Sequence, residues 1–319
     1  MMSRPDHDDG RRPLSRRRLL HGSVLAAAAT GVLPTPRAWA ASPSPTIAPP
    51  SGCCFTSATW HGDRLVAVGR LDDGDAACWV HDLRGWRRVE ARGLDGASLR
   101  AVTGHGAVLV AVGTHSSGEA SVWTSAGGEA WRRVAVGVGV LTGVAAAGST
   151  LLAVGARADG ETAEGAGALV LRSTDARTWV PLDSSGLPNG SETGLSAVAR
   201  HAGRWVAAGY DVGGAVLWES ADAVAWGATS APVRAGAVVA ALRPHGERLV
   251  AVTSAVTDAG PRVWSSGASR RWTESAVDAE SAAGAVGHDV VPLDADDGRS
   301  LLLVGAVRGQ ALTVQTTHR

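Results

Sequence analysis

The chain has 319 residues, 45% of them hydrophobic, with 41 Gly and equal totals of 30 basic and 30 acidic side chains. That is enough apolar material for one large β domain or two small ones, and too much for a disordered chain. Every basic residue is Arg, and without the first 40 residues, which hold seven Arg and three Asp, 23 basic side chains face 27 acidic ones. Such a body has no basic footprint, so nucleic acid is not an expected partner.

At the N-terminus, "SRRRLLHGSVLAAAATGVL" places Arg16 and Arg17 before Leu19 and Leu20, then an apolar run, with "AWA" at Ala38 to Ala40 supplying small residues for cleavage. This resembles a twin-arginine export signal, and the resemblance implies a folded cargo carried out of the cytoplasm. The apolar run, Gly22 to Leu33, is shorter than the roughly 20 residues a bilayer span requires. Residues 1–40 therefore read as a signal peptide, and a secreted or cell-surface protein with no membrane span in its mature part is expected. Residues 41–52 are Pro-rich and aperiodic, an extended linker.

From Cys54 onward the chain repeats itself. An apolar strand, a turn often written His-Gly, a "LVAVG" strand, a polar loop and a Trp-bearing hairpin recur. The "VAVG" element ends at Gly69, Gly113, Gly155, Gly209, Thr253 and Gly305, with successive spacings of 44, 42, 54, 44 and 52 residues. Runs rich in Val, Leu and Ala, such as Leu65 to Val68, Leu109 to Val112 and Leu301 to Val304, are bounded by Gly, Asp and Ser and predict strands. Six units of about 45 residues fit four-stranded blades, so an all-β, six-bladed β-propeller over residues 53–319 is predicted.

Each hairpin has its own pattern. Ser125 and Trp131, Ser173 and Trp179, Ser220 and Trp226, and Ser266 and Trp272 are all six positions apart, and Asp175 and Asp222 occupy the third position. The first unit keeps Asp82 and Trp86. This resembles the Asp-box, or BNR, repeat Ser-x-Asp-(Gly)-x-x-Trp of sialidase-like propellers and of noncatalytic propellers that assemble complexes. Short polar side chains in a tight hairpin accept backbone N–H bonds, and a Trp covers the turn, so these residues are assigned a structural role. A second Trp series, Trp79, Trp123, Trp218 and Trp264, is expected to pack between blades. The sixth unit ends without a Trp hairpin, so its outermost strand is missing, and residues near Thr46 to Pro50 or just after are expected to supply it as a clasp.

The sialidase resemblance implies an Arg-Ile/Leu-Pro signature and a Tyr nucleophile paired with Glu. The chain has neither Arg-Ile-Pro nor Arg-Leu-Pro, and its single Tyr, Tyr210, is the one residue able to take that role. No nucleophile elbow, phosphate loop, zinc helix or Cys-x-x-Cys occurs, so no catalytic residue, metal or cofactor is assigned. Four His, 61, 105, 201 and 245, recur before the "LVAVG" strand and read as turn residues spread over separate blades. "LDADDGRS" from Leu293 reads as a turn and not a calcium loop. Cys53, Cys54 and Cys78 leave one thiol over if a disulfide forms, with the pairing open.

Fold analogy places a binding face on the loops after "VAVG", which carry Asp72, Asp73, His115, Arg157, Tyr210, Asp211 and Arg262. Acidic groups there favour a polar or protein partner. The sequence thus points to an exported, monomeric, noncatalytic binding or assembly module for a protein or glycan. A divergent sialidase-like glycoside hydrolase and a lectin-like carbohydrate binder are the alternatives.

Overall fold

The computed structural model describes residues 49–82, 85–157, 167–190, 193–211, 214–232, 237–255, 260–267, 271–275, 277, 285–292 and 300–317. The described residues contain strands and no helix, so none is long and apolar enough to cross a membrane. The strands form six antiparallel blades, a β-propeller. Blade 1 is β1 (Cys53–His61), β2 (Arg64–Leu71), β3 (Ala76–Asp82) and β4 (Gly85–Val89). Blade 2 is β5 (Ala97–His105), β6 (Val108–His115), β7 (Glu119–Ser125) and the first half of β8 (Arg132–Ala147). The second half of β8 is the inner strand of blade 3, with β9 (Thr150–Arg157), β10 (Gly167–Ser173) and β11 (Val180–Pro181), so the two blades share one strand. Blade 4 is β12 (Gly194–His201), β13 (Arg204–Asp211), β14 (Gly214–Ser220) and β15 (Gly227–Thr229). Blade 5 is β16 (Ala237–His245), β17 (Arg248–Ala255), β18 (Arg262–Ser266) and β19 (Trp272–Ser275). Blade 6 is β20 (Ala285–Pro292), β21 (Ser300–Val307) and β22 (Gln310–Thr317).

The recurring glycine of "VAVG" has a steric cause. In every blade the inner strand carries a bulge near its start, such as Phe55/Ser57 in β1 and Leu99/Ala101 in β5. The bulge pushes an inner-strand carbonyl toward the second strand. A Cβ on Gly69 would lie 2.0 Å from the Cys54 oxygen, and one on Gly113 2.0 Å from the Ser98 oxygen. Blade 5 has Thr253 at this place, with its hydroxyl taking the Trp264 indole N–H at 3.0 Å.

Blades are held face to face by apolar clusters. Trp123 and Trp131 of blade 2 pack with Val66, Cys78 and Val80 of blade 1. Trp218 and Trp226 of blade 4 pack with Leu152, Val154 and Val170 of blade 3. Trp79 of blade 1 packs with Val291, Leu302 and Val304 of blade 6, which closes the ring. The second Trp series therefore packs between blades, with Trp79, Trp123 and Trp218 each at most 3% exposed. Burying an indole removes on the order of 200 Å² from water, about 5 kcal/mol per Trp before conformational entropy is subtracted.

Blade 6 has three strands among the described residues. Residues 46–48 of the expected clasp lie outside the described residues, as does the turn at 293–299, and residues 49–52 form no strand. They do touch the neighbouring blades: the Gly52 N–H donates to Gln310 Oε1 at 2.9 Å, and the Asp72 N–H donates to the Gly52 carbonyl at 3.2 Å. All three cysteines are buried thiols. Cys54 is on β1 and Cys78 on β3, with β2 between them. Two strand spacings, about 9.6 Å, exceed the reach of a disulfide. Burial pushes the Cys78 thiol up to about 12, and burial, aided by Cys54 and Asp72, pushes Cys53 up to about 11. Both stay protonated and inert.

Candidate functional site at the channel mouth

Antiparallel pairing puts the start of each inner strand beside the end of the second strand, as in Cys53↔Leu71. The loops after "VAVG" and the bulges therefore lie at one end of the ring. Asp72 and Asp73 stand on blade 1, His115 on blade 2, Arg157 on blade 3, Tyr210 and Asp211 on blade 4, and Arg262 on blade 5. They are spread around the rim, and several secure their own loops. Asp73 accepts the Asp75 N–H at 3.0 Å, and Asp72 accepts from Gln310 Nε2 at 3.3 Å. His115 Nδ1 lies 2.8 Å from the Ser117 hydroxyl, which donates to Glu119, itself paired with Arg133 at 2.5 Å. Arg262 pairs with Glu274. Tyr210 is 40% exposed. Asp211 follows it on a strand, and successive strand side chains point to opposite faces.

The Ser and Asp residues of the hairpins hold turns at the opposite end. Ser173 Oγ accepts the Ala176 N–H at 3.0 Å, and Asp175 Oδ1 accepts from the Arg177 and Thr178 N–H at 2.8 and 2.7 Å. Ser220 and Asp222 repeat this with Ala223, Val224 and Ala225. Ser125 accepts the Gly128 N–H at 2.9 Å with no Asp to help. Trp131 and Trp226 are 6% exposed and donate their indole N–H to the Gly128 and Ala223 carbonyls. Trp86, Trp179 and Trp272 are half-buried, Ser266 is buried beside Trp272 on the adjacent strand, and Asp82 pairs across from Gly85. Among the described residues, no group of three or more His, Cys, Asp or Glu can hold a metal ion.

What converges on the axis is a different set. The bulged residues of the six inner strands, Thr56, Arg100, Thr142, Ser196, Ala240 and His288, ring the mouth of the central channel. Thr56, Thr142 and Ser196 each donate a hydroxyl hydrogen to a carbonyl of the next blade, Leu99, Leu195 and Val239 respectively. These bonds stitch inner strands that share no ladder.

Below the mouth the channel is plugged by an ion pair. Arg243 Nη2 lies 2.5 Å from Asp289 Oδ2, and the two side chains are 16% and 3% exposed. Asp289 also accepts the Ser57 hydroxyl at 2.6 Å and the Ala58 N–H at 3.2 Å. Arg243 reaches the Ala58 and Val102 carbonyls. One pair thus ties blades 5, 6, 1 and 2 together. Burial works against the Arg243 charge, yet the charge and hydrogen bonds of Asp289 hold its pKa above the ordinary value. The axial void above the plug is about 30 Å³, room for water. Beside it, a groove of about 330 Å³ between blades 1 and 2 is lined by Thr56, Gly69, Arg70, Gly74, Ala97, Ser98, Leu99 and Arg100.

Sequence reasoning looked to the loops and missed these strand residues. The available signal was positional: Arg100 and Arg243 interrupt the apolar inner strands "ASLRAVTGH" and "AVVAALRPH", where charge is costly without a purpose.

No protein-family model matches the chain, and no curated protein is significantly similar to it in sequence. Similarity to solved structures is confined to shape. The chain is similar to a Penicillium chrysogenum α-L-arabinanase complexed with arabinobiose, with TM-score 0.62, 13% identity, 84% of this chain and 93% of that one. It is also similar to a mutant of the Aleuria aurantia lectin bound to Fucα1-6GlcNAc, with TM-score 0.58, 12% identity, 84% and 98%. YCF48 bound to D1 peptide matches with TM-score 0.52, 13% identity, 84% and 78%. At these identities the shared property is the β-propeller fold, which carries glycoside hydrolases and binding proteins alike.

Proposed function

We propose that this chain is an exported, monomeric, noncatalytic β-propeller, acting outside the cytoplasm as a binding or assembly module for a protein or glycan. The observation that carries this reading is the state of Asp289. Among the described residues it is the one carboxylate lining the axial void, and its oxygens are occupied by Arg243, Ser57 and the Ala58 N–H. Glycoside hydrolysis uses a pair of carboxyl groups flanking a sugar, one ready to give or take a proton. A void of about 30 Å³ is also far below the roughly 300 Å³ at which ligand pockets begin. The Ser-x-Asp turns covered by Trp support an Asp-box kinship in a purely structural role. Binding neighbours of the same fold, a lectin and a peptide-bound protein, are consistent with a module of this kind. Export rests on the leader with Arg16 and Arg17.

The test has two parts. Purified chain incubated with arabinan, sialyllactose and aryl glycosides is expected to release no sugar above the blank; turnover abolished by Tyr210→Phe would overturn the noncatalytic reading. In the producing cell, Arg16→Lys with Arg17→Lys is expected to retain an uncleaved precursor inside, while unchanged export would remove the twin-arginine assignment.

A further inference from the structure

The groove beside the channel mouth combines two features that rim loops lack. Arg70, at the end of β2, and Arg100, the bulged residue of β5, line the same space of about 330 Å³ together with Thr56. Arg100 also lines the axial void with His288, so the groove borders the mouth. Neither guanidinium makes an ion pair among the described residues.

The charge count is decided by the neighbours. Asp289 is neutralised by Arg243. Cys54, whose sulfur lies 3.9 Å from His288 Nε2, is held as a neutral thiol because burial raises its pKa despite Arg70. His288 is held neutral by burial and by the positive charges of Arg100 and Arg70, which outweigh Asp289. The Asp72 and Asp73 carboxylates stand on the adjoining loop and do not line the groove. No carboxylate lines the groove among the described residues, so its walls present the two guanidinium charges of Arg70 and Arg100.

We infer that this groove is an anion site in which Arg70 and Arg100 grip a tetrahedral dianion, a phosphoryl group or free phosphate. Guanidinium forks match such oxygens bidentately, and two fixed charges are balanced by a dianion where a single carboxylate leaves one over. The neutral His288 imidazole adds a donor at the mouth. The Thr56 hydroxyl hydrogen is committed to the Leu99 carbonyl, so its lone pairs receive a proton donor on the carrier of the phosphoryl group. This deepens the binding-module reading by naming the ligand's chemistry.

The experiment is a titration of the purified full-length chain with inorganic phosphate, phenyl phosphate and acetate, followed by calorimetry and by the arginine Nε–Hε resonances. Saturable phosphate binding in the millimolar range or tighter is expected, with acetate at least about tenfold weaker. Arg100→Gln is expected to weaken phosphate by about tenfold or more, and Arg70→Gln likewise, with melting curves matching the parent. Arg88→Gln, on outer strand β4, leaves binding unchanged. Phenyl phosphate binding as well as or better than phosphate identifies an ester-borne group, and its exclusion identifies the free ion; either supports the site. Absence of saturable phosphate binding, parent-like affinity in a folded Arg100→Gln protein, or acetate equal to phosphate overturns it. Sugar release by the parent would sink the noncatalytic reading while leaving phosphate binding intact, so the two failures are distinguishable.

Discussion

Asp175 and Asp222 show how one side chain fixes a hairpin. Backbone N–H bonds from Thr178 and Arg177 hold the Asp175 carboxyl well below its ordinary value, and those from Val224 and Ala225 do the same for Asp222. A carboxyl depressed in the fold contributes stability that is present above the unfolded value near 3.9 and is lost as pH falls through the folded one. The melting temperature is therefore expected to fall as pH drops from about 5 to about 2, and the Asp175→Ala, Asp222→Ala double variant to show a shallower fall. Identical acid slopes would remove these turns from the account. Ala202 offers the opposite case. It sits exposed in the β12–β13 turn at φ 47°, where the matching residues of blades 1, 2 and 5 are Gly62, Gly106 and Gly246. An L side chain in that region costs roughly 1 kcal/mol, so Ala202→Gly should raise stability by about 0.5–1 kcal/mol in a urea melt. The same change at Ala176 or Ala223 should gain less, because those methyl groups, also at positive φ, are buried between blades.

Within a blade, the inner and second strands are coupled through the bulge. Gly113→Ala drives a methyl into the Ser98 carbonyl and should destabilise by about 2–4 kcal/mol, measured by chemical denaturation; a change under about 0.5 kcal/mol would mean that the bulge flattens freely. The repeated "VAVG" glycine was legible in the sequence as a period, but its reason was not, since the clash is with a carbonyl of another strand. The pattern of strands was legible as well: Leu65–Val68, Leu109–Val112 and Leu301–Val304 fall inside β2, β6 and β21. The sharing of β8 between two blades was not, because nothing in "RRVAVGVGVLTGVAAA" marks where one partner gives way to the next. The edge of blade 6 is the element most exposed to change. Removing residues 41–52 deletes the Gly52 bonds to Gln310 and Asp72 and any strand those residues supply, so a lower melting temperature is expected; an unchanged melt would retire the clasp.

For the ring as a whole, the plug matters more than any hairpin. Arg243→Met leaves Asp289, 2% exposed, with an uncompensated charge and should cost about 3–5 kcal/mol. Adding Asp289→Leu should restore most of that loss, and a double variant no better than the single one would show that the pair acts by shape alone. The six-bladed β-propeller and the second Trp series followed from the sequence, because a repeat that cannot bury its own faces must stack on its neighbours. The seven rim residues were found by the same reasoning, from loop position, and the structure leaves them spread over five blades. The channel mouth was out of reach because Thr56, Arg100, Thr142, Ser196 and His288 lie as much as 232 residues apart in the chain. Periodicity therefore determined which strands form and which of their faces are apolar, whereas only ring closure decided which polar side chains meet on the axis. The first is local patterning repeated along the chain; the second depends on the last blade returning to the first.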